Sequence, residues 1–379
     1  MNLIEFGTIS HIKKGKKPLR QVDKPQEGYM PYVDIEAFET GNVKMYTDGE
    51  KCLTCKVGDI LIVCDGSRSG FVGKAIDGYV GSTLAIISAD GMSQEYLYYF
   101  LQGKYALLNT KKKGTGTPHL DANILNQQKL VVPSLEEQKR VVARIEELFS
   151  ELDNGVETLK KTKQQLAVYR QAVLKEAFEN CKPLSSIRDM STLVTSGSRG
   201  WAQFYASEGA KFIRIGNLTR DSIDIDFSDT QYVNLPDKAE GLRSKLQPND
   251  VLVSITADLG SIGLVPNNIG EAYINQHIAV VRFKNASQGK FMAWYLRSDW
   301  GQKDLLKNKR GAGKLGLGLD DIRDSRVPVV SDEEAEAVLD IIESRLSVCD
   351  SIEETVDTAL QQAEAMRQSI LKKAFEGKL

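Results

Sequence analysis

The sequence predicts a mixed α/β (α+β) fold in which two globular domains alternate with two long helices, as an internal repeat with pseudo-two-fold symmetry. Three observations lead to this prediction. A segment from the middle of the 379-residue chain recurs at its C-terminal end. Both copies of this segment lie in long stretches that carry apolar residues at helical spacing. Short β-branched runs, which are typical of strands, precede each stretch.

The repeat is clearest at the ends of the two helical stretches. Residues 169–180 match residues 366–377 at seven of twelve positions, with an offset of 197 residues. Residues 57–62 resemble residues 248–253 more weakly, at an offset of 191. The offsets rise in order along the chain, as loop insertions in the second copy would produce. The pattern therefore indicates two copies of one structural unit.

The repeat divides the chain into four predicted segments. They alternate between globular and helical: 1–132, 133–181, 182–330 and 331–379. We call residues 1–132 the first head and residues 182–330 the second head. The predicted strands of the heads are Ile60–Cys64, Thr83–Ser88, Phe212–Ile215, Val251–Ile255 and Ala279–Phe283. The predicted helices of the heads lie near Gln94–Leu108 and Lys290–Leu306.

Both long helical segments begin with the signals of a helix N-terminus. Ser134 and Ser331 supply capping hydroxyls, and acidic residues follow each serine at the positive end of the helix dipole. The apolar residues then follow a 3-4 spacing that is typical of a coiled coil. The residues predicted to pair the helices are Leu152, Leu159, Leu166, Val173, Cys349, Val356, Ala363, Met366 and Ile370. We expect two helices of about 40 residues, each roughly 60 Å long, to pack antiparallel, with parallel pairing to a second chain as the alternative.

The net charge of −2 is unevenly distributed. Residues 1–135 carry 16 basic and 14 acidic side chains, and residues 180–330 carry 20 and 16. The last segment, residues 331–379, carries 5 basic and 12 acidic side chains. The heads are therefore mildly basic and suited to a polyanionic partner, whereas the acidic final helix fits a protein-docking surface or a solvated charged face.

The composition argues against several classes of protein. No apolar run approaches the 18 residues of a membrane span, and the N-terminus lacks the basic and apolar regions of an export signal, so we expect a cytoplasmic protein. Five irregularly spaced cysteines fit reduced thiols better than a disulfide framework. Cys52 and Cys55 form one Cys-x-x-Cys pair. Because a structural zinc site needs about four ligands, we favour incidental thiols and expect no metal.

We find no catalytic motif that can be assigned. A run beginning at Asn308 approaches a phosphate-binding loop, but Asn308 replaces the first glycine and Leu315 replaces the hydroxyl residue that binds magnesium. An adenine methyltransferase would be expected to carry an Asn/Asp-Pro-Pro-aromatic motif, and the sequence contains no Pro-Pro pair. His11, His119 and His277 are too isolated to predict a catalytic triad. We therefore expect a non-catalytic chain.

Three segments resemble a known family. Residues 130–142, Leu-Val-Val-Pro-Ser-Leu-Glu-Glu-Gln-Lys-Arg-Val-Val, resemble the central conserved region of the specificity subunits of type I restriction–modification systems. Residues 170–178, Arg-Gln-Ala-Val-Leu-Lys-Glu-Ala-Phe, and the Gly-Asp-Ile-Leu run at 58–61 also resemble that family. The resemblance covers essentially the whole chain. The second helical segment departs from the pattern, since Ala335 stands where the first has Gln138.

The resemblance implies a DNA-binding specificity subunit without catalytic activity of its own, in which the two heads are target recognition domains. Each head would read one half of an asymmetric bipartite site, and the helices, as conserved spacer regions, would set the spacer and dock methyltransferase (M) subunits. The implied partners are double-stranded DNA, two M subunits and, in some complexes, two restriction/translocase (R) subunits. S-adenosylmethionine, ATP and Mg²⁺ would bind to those subunits and not to this chain. The alternative is a protein-binding coiled-coil scaffold that does not read DNA sequence.

Basic and polar loops of the heads are the candidate DNA contacts. Phosphates attract Lys and Arg, whereas base edges attract Arg, Asn, Gln and other polar side chains. The predicted DNA-binding residues of the first head are Lys13, Lys14, Lys16, Lys17, Arg20, Ser67, Arg68, Lys111, Lys112 and Lys113. Those of the second head are Ser198, Arg199, Trp201, Gln203, Thr256, Asp258, Asn275, Gln276, Lys309, Arg310 and Lys314. The alternative for each lysine run is a solvated surface loop.

Overall fold

The computed structural model describes residues 3–111, 118–236, 243–307, 309 and 316–379. The chain forms two compact units. The first unit comprises residues 1–159 and 358–379, and the second comprises residues 160–357. Each unit therefore combines one head with parts of both long helical segments.

Both heads contain strands and short helices, and one long helix follows each head. The helices of the described residues are α1 (Ile35–Thr40), α2 (Gln94–Gln102), α3 (Tyr105–Thr110), α4 (Ala122–Asn126), α5 (Leu135–Ala177), α6 (Ile187–Met190), α7 (Gly289–Arg297), α8 (Asp299–Leu305), α9 (Leu319–Arg323) and α10 (Asp332–Phe375). The strands of the first head are β1 (Ile4–Glu5), β2 (Ser10–Lys14), β3 (Met30–Val33), β4 (Tyr46–Thr47), β5 (Thr54–Cys55), β6 (Ile60–Val63), β7 (Val72–Lys74), β8 (Gly78–Val80), β9 (Leu84–Ala89) and β10 (Lys129–Leu130). The strands of the second head are β11 (Pro183–Ser186), β12 (Ser191–Ser196), β13 (Tyr205–Ala206), β14 (Ala210–Ile213), β15 (Gln231–Val233), β16 (Val251–Ser254), β17 (Ile262–Leu264), β18 (Ala272–Ile274), β19 (Ile278–Phe283) and β20 (Arg326–Pro328).

In its described residues, the first head contains two four-stranded sheets and one two-stranded ribbon. One sheet is antiparallel throughout, in the order β2-β9-β6-β7. The other has the order β4-β3-β8-β5, and its central pair, β3 and β8, is parallel. The ribbon pairs β1 with β10, so the start of the head is hydrogen-bonded to its end.

The second head repeats this arrangement. Its antiparallel sheet has the order β12-β19-β16-β17, and its mixed sheet has the order β13-β15-β14-β18 with β14 and β18 parallel. A ribbon of β11 and β20 again joins the start of the head to its end. The recurrence of sheet order, parallel pair and ribbon confirms the predicted repeat and the mixed fold class.

The central strands β6 and β16 explain why their sequences are apolar without alternation. All four residues of β6 are buried, as are all four of β16. Ile60 and Ile62 pack into one apolar cluster with Phe100, whereas Leu61 and Val63 pack into another. A strand that is buried on both faces of its sheet has no polar side and shows no alternation of apolar and polar residues. For such a run, only its length and its content of β-branched residues distinguish a strand from a helix in the sequence.

Two predicted helical stretches of the heads are each broken into two helices. In the first head, Gly103 and Lys104 separate α2 from α3. In the second head, Ser298 separates α7 from α8, and its hydroxyl accepts a hydrogen bond from the Gly301 N–H. The predicted strand Phe212–Ile215 ends earlier, at Ile213. The following turn begins at Arg214, whose backbone N–H donates to the Asn217 side chain.

The long helices α5 and α10 begin with reciprocal caps. Ser134 Oγ accepts a hydrogen bond from the Glu137 N–H, and the Glu137 carboxylate accepts one from the Ser134 N–H. Ser331 and Glu334 form the same pair of bonds at the start of α10. These bonds satisfy backbone donors that have no partner within the helix, and they place both helix starts where the sequence predicted them.

The two long helices are antiparallel within each unit. In the second unit, Lys163 of α5 contacts Asp357 of α10 at 2.8 Å, and Arg170 contacts Asp350 at 2.6 Å. In the first unit, Arg367 forms an ion pair with Asp153 and lies 4.4 Å from the centre of the Phe149 ring. Residue numbers rise on one helix as they fall on the other, so the antiparallel expectation holds in both units.

The predicted helix-pairing residues differ in burial. Those that are buried are Leu166, Val173, Cys349, Val356 and Ala363. Leu152, Leu159 and Ile370 are half-buried. Met366 contradicts the prediction, because 55% of it is exposed. An α-helix drifts by about 20° in each heptad relative to a strict seven-residue repeat, and Arg367 and Leu371 occupy the inward positions near Met366.

A buried glutamine amide joins the first head to α5. Gln138 is 0% exposed. Its Nε2 donates to the carbonyls of Gly91 at 2.6 Å and Pro133 at 3.0 Å, and its Oε1 accepts from the Ser93 N–H at 2.8 Å. The amide thus satisfies three backbone groups between the head and the helix, which fixes the start of α5 against the head.

The second unit also has a glutamine amide at the joint between head and long helix, but there the glutamine belongs to the head. Gln288 Nε2 donates to the carbonyl of Val330 at 3.0 Å. Val330 corresponds to Pro133 by the offset of 197, whereas the residue that corresponds to Gln138 is Ala335. The head supplies the amide in the second unit, and the helix supplies it in the first. This exchange accounts structurally for the departure of the second helical segment from the family pattern.

In the described part of the chain, no helix combines the length and the apolar character needed to cross a membrane.

Candidate nucleic-acid interface

Three loops of the first head meet at Asp65, the second residue after β6. Lys14, at the end of β2, places its Nζ 2.8 Å from Asp65 Oδ2. His119 places its Nδ1 2.7 Å from Asp65 Oδ1. Burial alone would raise the pKa of Asp65, but the hydrogen bonds from Lys14 and His119 outweigh it, so that its pKa lies below the ordinary value. The carboxylate is therefore charged at neutral pH.

Backbone bonds hold these loops together. Asp65 and His119 form an antiparallel β-bridge, and the Gly66 N–H donates to the Pro118 carbonyl at 2.8 Å. Gly15 lies so close to the segment after β8 that a Cβ there would stand 2.3 Å from the Gly81 carbonyl oxygen. The glycine that interrupts the lysine run is thus required by packing, and it brings Lys14 beside Asp65.

The other predicted cations of the first head that the structure describes are exposed or pair with carboxylates other than Asp65. The lysines at the surface are Lys13, Lys16, Lys17 and Lys111, all of them exposed. Arg20 lies 3.6 Å from Asp48. Arg68 forms an ion pair with Glu39 and lies 4.3 Å from the centre of the Phe71 ring, and its guanidinium lowers the pKa of Glu39. Ser67 is exposed, and its carbonyl accepts a hydrogen bond from Asn109.

A second polar cluster lies in the second head at Thr256, the second residue after β16. Thr256 Oγ1 lies 2.6 Å from His277 Nδ1, and Gln276 Nε2 lies 2.9 Å from His277 Nε2. An amide N–H can only donate, so both bonds are satisfied when His277 is neutral with its hydrogen on Nδ1. The Thr256 hydroxyl then accepts from the ring and keeps its own hydrogen available for another partner.

The backbone bonds show that Asp65 and Thr256 occupy equivalent positions. Thr256 forms an antiparallel bridge with Gly316, as Asp65 does with His119. The Leu317 N–H donates to the Ile255 carbonyl at 3.0 Å, as the Leu120 N–H does to the Cys64 carbonyl at 2.7 Å. The two heads thus present different side chains on the same backbone frame.

The burial of Trp201 contradicts the prediction that it contacts DNA. The ring is 4% exposed and packs against Phe212, with 4.6 Å between ring centres, and against Tyr273 at 5.6 Å. A short 3-10 helix over Trp201–Phe204 turns the side chain inward. Apolar packing, and not base stacking, explains a tryptophan beside this polar loop.

Other predicted residues of the second head have mixed positions. Ser198 and Asn275 are 9% exposed, and Asn275 Oδ1 accepts from the His277 N–H at 3.1 Å. Asp258 is occupied by an ion pair with Arg220, whose guanidinium lowers the pKa of the Asp258 carboxyl. The exposed members of the set are Arg199, Gln203 and Lys309. The predicted contacts Lys112, Lys113, Arg310 and Lys314 lie outside the described residues.

Sequence reasoning missed the two histidines at these centres. His119 and His277 are separated from other polar groups along the chain, and motif spacing alone gives no reason to select them. A usable signal exists in the repeat, since His119 immediately precedes Leu120, which matches Leu317 at the offset of 197. Arg220, the partner of Asp258, was also missed because no basic run surrounds it.

The Cys52–Cys55 pair is unsuited to metal binding as it stands. Cys55 is 1% exposed, and burial raises the pKa of its thiol to about 11. A zinc ligand has to be a thiolate. In the described ranges, no group of three or more His, Cys, Asp or Glu side chains is arranged to hold a metal ion.

We predict slow alkylation of Cys55 in the native protein. At pH 7.5, iodoacetamide should modify Cys55 about 100-fold more slowly than an ordinary exposed cysteine, because the thiolate is the reactive form. Mass spectrometry of peptides after timed labelling measures the rate, and labelling in urea is the control that should restore it. Rapid native labelling, or stoichiometric zinc on the purified protein, would contradict this prediction.

Comparison with known proteins places most of the chain in one family. A family model described as the type I restriction modification DNA specificity domain matches residues 1–167 and residues 185–362. The specificity subunit of the type I restriction enzyme MjaVIII from Methanocaldococcus jannaschii is 24% identical over 411 residues, which cover 100% of this chain and 92% of the relative. The EcoBI specificity subunit from Escherichia coli is 23% identical over 410 residues, covering 99% and 85%.

Solved structures share the fold. One, described as "Structural basis underlying complex assembly and conformational transition of the type I R-M system", contains a chain that matches with a TM-score of 0.73 and 18% identity, covering 100% of this chain and 98% of that one. The HsdS subunit from Thermoanaerobacter tengcongensis matches with a TM-score of 0.53 and 18% identity, covering 100% and 97%. Each match of the family model runs from a head into the long helix that follows it. The resemblance found in the sequence is thereby confirmed, and the chain belongs to the type I restriction modification DNA specificity domain family.

Proposed function

We propose that this chain is the sequence-specific DNA-binding subunit of a type I restriction–modification complex and carries no catalytic activity of its own. The observation that carries this proposal is the pair of heads with one backbone frame and different polar side chains at equivalent points, Asp65 and Thr256. Two heads with different polar side chains are suited to recognising the two different halves of an asymmetric bipartite DNA site. Family membership and the basic character of both heads support the same function.

The heads and the helices have separate roles in this proposal. Residues 1–132 and 182–330 are the target recognition domains, and each reads one half-site. Residues 133–181 and 331–379 are the spacer regions that fix the distance between the half-sites. The surface lysines of the heads bind phosphates, which gives affinity without sequence information. The polar groups at the loop junctions read base edges.

A groove repeated in both units supports the docking of two copies of one partner. In the first unit, the ribbon β1–β10, the start of α5 and the end of α10 line the groove, which includes Leu3, 67% exposed. In the second unit, the ribbon β11–β20, the start of α10 and the end of α5 line it, and Leu184 is 62% exposed. Exposed apolar side chains in a groove are typical of protein-binding sites. We assign both grooves to methyltransferase subunits.

The partners supply the chemistry in the proposed complex. The methyltransferase subunits transfer a methyl group from S-adenosylmethionine to adenine N6, and restriction subunits that use ATP and Mg²⁺ join some complexes. This chain selects the site and holds the partners over it. The rival function is a coiled-coil scaffold that binds protein only, and it predicts no sequence preference for the assembled complex.

Sequencing of methylated DNA tests the proposed function. The chain is expressed with its methyltransferase subunit in a host that lacks adenine methylation, and methylated positions are mapped across the genome. We expect N6-methyladenine in one interrupted, asymmetric motif, and none when either protein is expressed alone. Methylation by this chain alone would refute the non-catalytic assignment. Methylation without a motif would favour the scaffold.

A further inference from the structure

We infer that Asp65 and Thr256, each with the imidazole bound to it, are the base-reading centres of their heads, and that each specifies one position in a different half-site. The inference rests on the proposed function and adds to it the residues that determine which DNA sequence is recognised. It follows from a juxtaposition of residues that are distant in the chain, namely a histidine against the second residue after the central strand in both heads.

The histidines reach this position by different routes. In the first head, the imidazole comes from His119, on the segment that bridges to Asp65. In the second head, Gly316 holds that place in the bridge, and the imidazole comes from His277, before β19. Thr83 holds the place of His277 in the first head, since Cys64 N–H bonds to Thr83 as Ile255 N–H bonds to His277. Duplication of an ancestral histidine does not explain this, because each copy lacks the histidine of the other.

Stability does not explain the first centre either. His119 has 54% of its side chain exposed and Lys14 has 52%. Ion pairs at that exposure contribute little to folding because water and salt screen them. Their effect is to hold the Asp65 carboxylate, 19% exposed, in one orientation at the meeting point of three loops. A polar group that is already fixed loses little freedom when it binds.

The two centres have complementary chemistry for different bases. The Asp65 oxygens each accept one bond, which leaves further lone pairs for the amino group of cytosine in the major groove. In a complex with DNA, Lys14 would offset the repulsion between this carboxylate and the phosphates. The second centre has no carboxylate: the Thr256 hydroxyl has a hydrogen to donate, and the Gln276 amide beside it can pair with adenine N6 and N7. A carboxylate in one head and a hydroxyl with an amide in the other predict unlike half-sites.

Asp65→Asn in the complex with the methyltransferase subunit tests the inference. The substitution keeps the shape of the side chain and replaces an acceptor oxygen with a donor. Mapped methylation should change at one position of one half-site, with methylation of the original sites reduced about tenfold or more. Thr256→Val should change the other half-site only. Asp90→Asn is the matched control, because Asp90 also pairs with a histidine, His11 at 3.0 Å, but at the opposite end of β2. It should leave the motif unchanged.

Each outcome separates the inference from the proposed function. An unchanged motif for Asp65→Asn, or changes in both half-sites, would overturn the inference while the wild-type motif still supports the function. If Asp65→Asn abolishes methylation, two measurements distinguish a loss of base reading from a loss of folding: the midpoint of unfolding of the complex and its affinity for random-sequence DNA. Unchanged values for both support a reading role, and a lowered midpoint of unfolding overturns it. A wild-type complex without an interrupted motif would refute the proposed function itself.

Discussion

Replacing the first head should change one half of the methylated motif and leave the other half and the spacer as they are. The exchange takes residues 1–132 from another member of the family and keeps residues 133–379 of this chain. The ribbon of β1 and β10 closes the head on itself, and its antiparallel sheet forms from strands between these two. A foreign head can therefore fold without strands from the rest of the chain.

The joint to α5 determines the choice of donor. Gln138 binds only backbone groups of the head, the Gly91 carbonyl and the Ser93 N–H, so it can serve a foreign head with the same backbone. The donor should itself have glutamine after the acids of its first long helix. Mapped methylation measures the result. An exchange that altered both half-sites, or the spacer, would show that the heads do not read independently.

Leu371→Ala should destabilise the first unit by about 2–5 kcal/mol, the usual cost of truncating a fully buried leucine. Leu371 is 1% exposed and packs with Ile145, Phe149 and Ala374 between the two long helices. Gly103 of the first head also lies against it, since a Cβ there would stand 3.3 Å from Leu371 Cβ. The truncation therefore opens a cavity at the contact of three elements.

Met366→Ala is the matched control on the same helix. Met366 is 55% exposed, so the change should alter stability by about 0.5 kcal/mol or less. Amide hydrogen exchange of residues 141–149 and 370–375 measures the local free energy of opening in both variants. Equal effects of the two substitutions would mean that the inward face of α10 has been assigned incorrectly.

The repeat and the long helices could be predicted because their signals are local. Seven identities in twelve residues, capping serines and a 3-4 apolar spacing all lie within short stretches of the chain. Those signals fixed the helix starts at Leu135 and Asp332. They could not fix which apolar residues face inward along 43 or 44 residues, because the inward face rotates slowly along the helix. Met366 was assigned incorrectly for that reason.

The candidate site was harder to predict because its members are distant in sequence. The basic loop containing Lys14 was recognisable from composition, but the other members of the site are distant in the chain. Asp65 lies 51 residues after Lys14, and His119 lies 54 residues after Asp65. Trp201 was misassigned because a polar loop surrounds it in sequence, whereas its ring packs on Phe212. Only the sheet order brings such residues together, and the sequence does not specify that order locally.

The amide at the head–helix joint limits how genes of this kind can recombine. A chain with two copies of the first head would place Ser93 opposite Ala335, and neither side would supply the amide that Gln288 gives to the Val330 carbonyl. A chain with two copies of the second head would crowd two glutamines, Gln138 and Gln288, into one joint. Crossovers inside the long helices, beyond the joint, carry each amide along with its own partner. Recombination there can shuffle recognition modules freely, whereas crossovers at the edge of a head meet a barrier of packing.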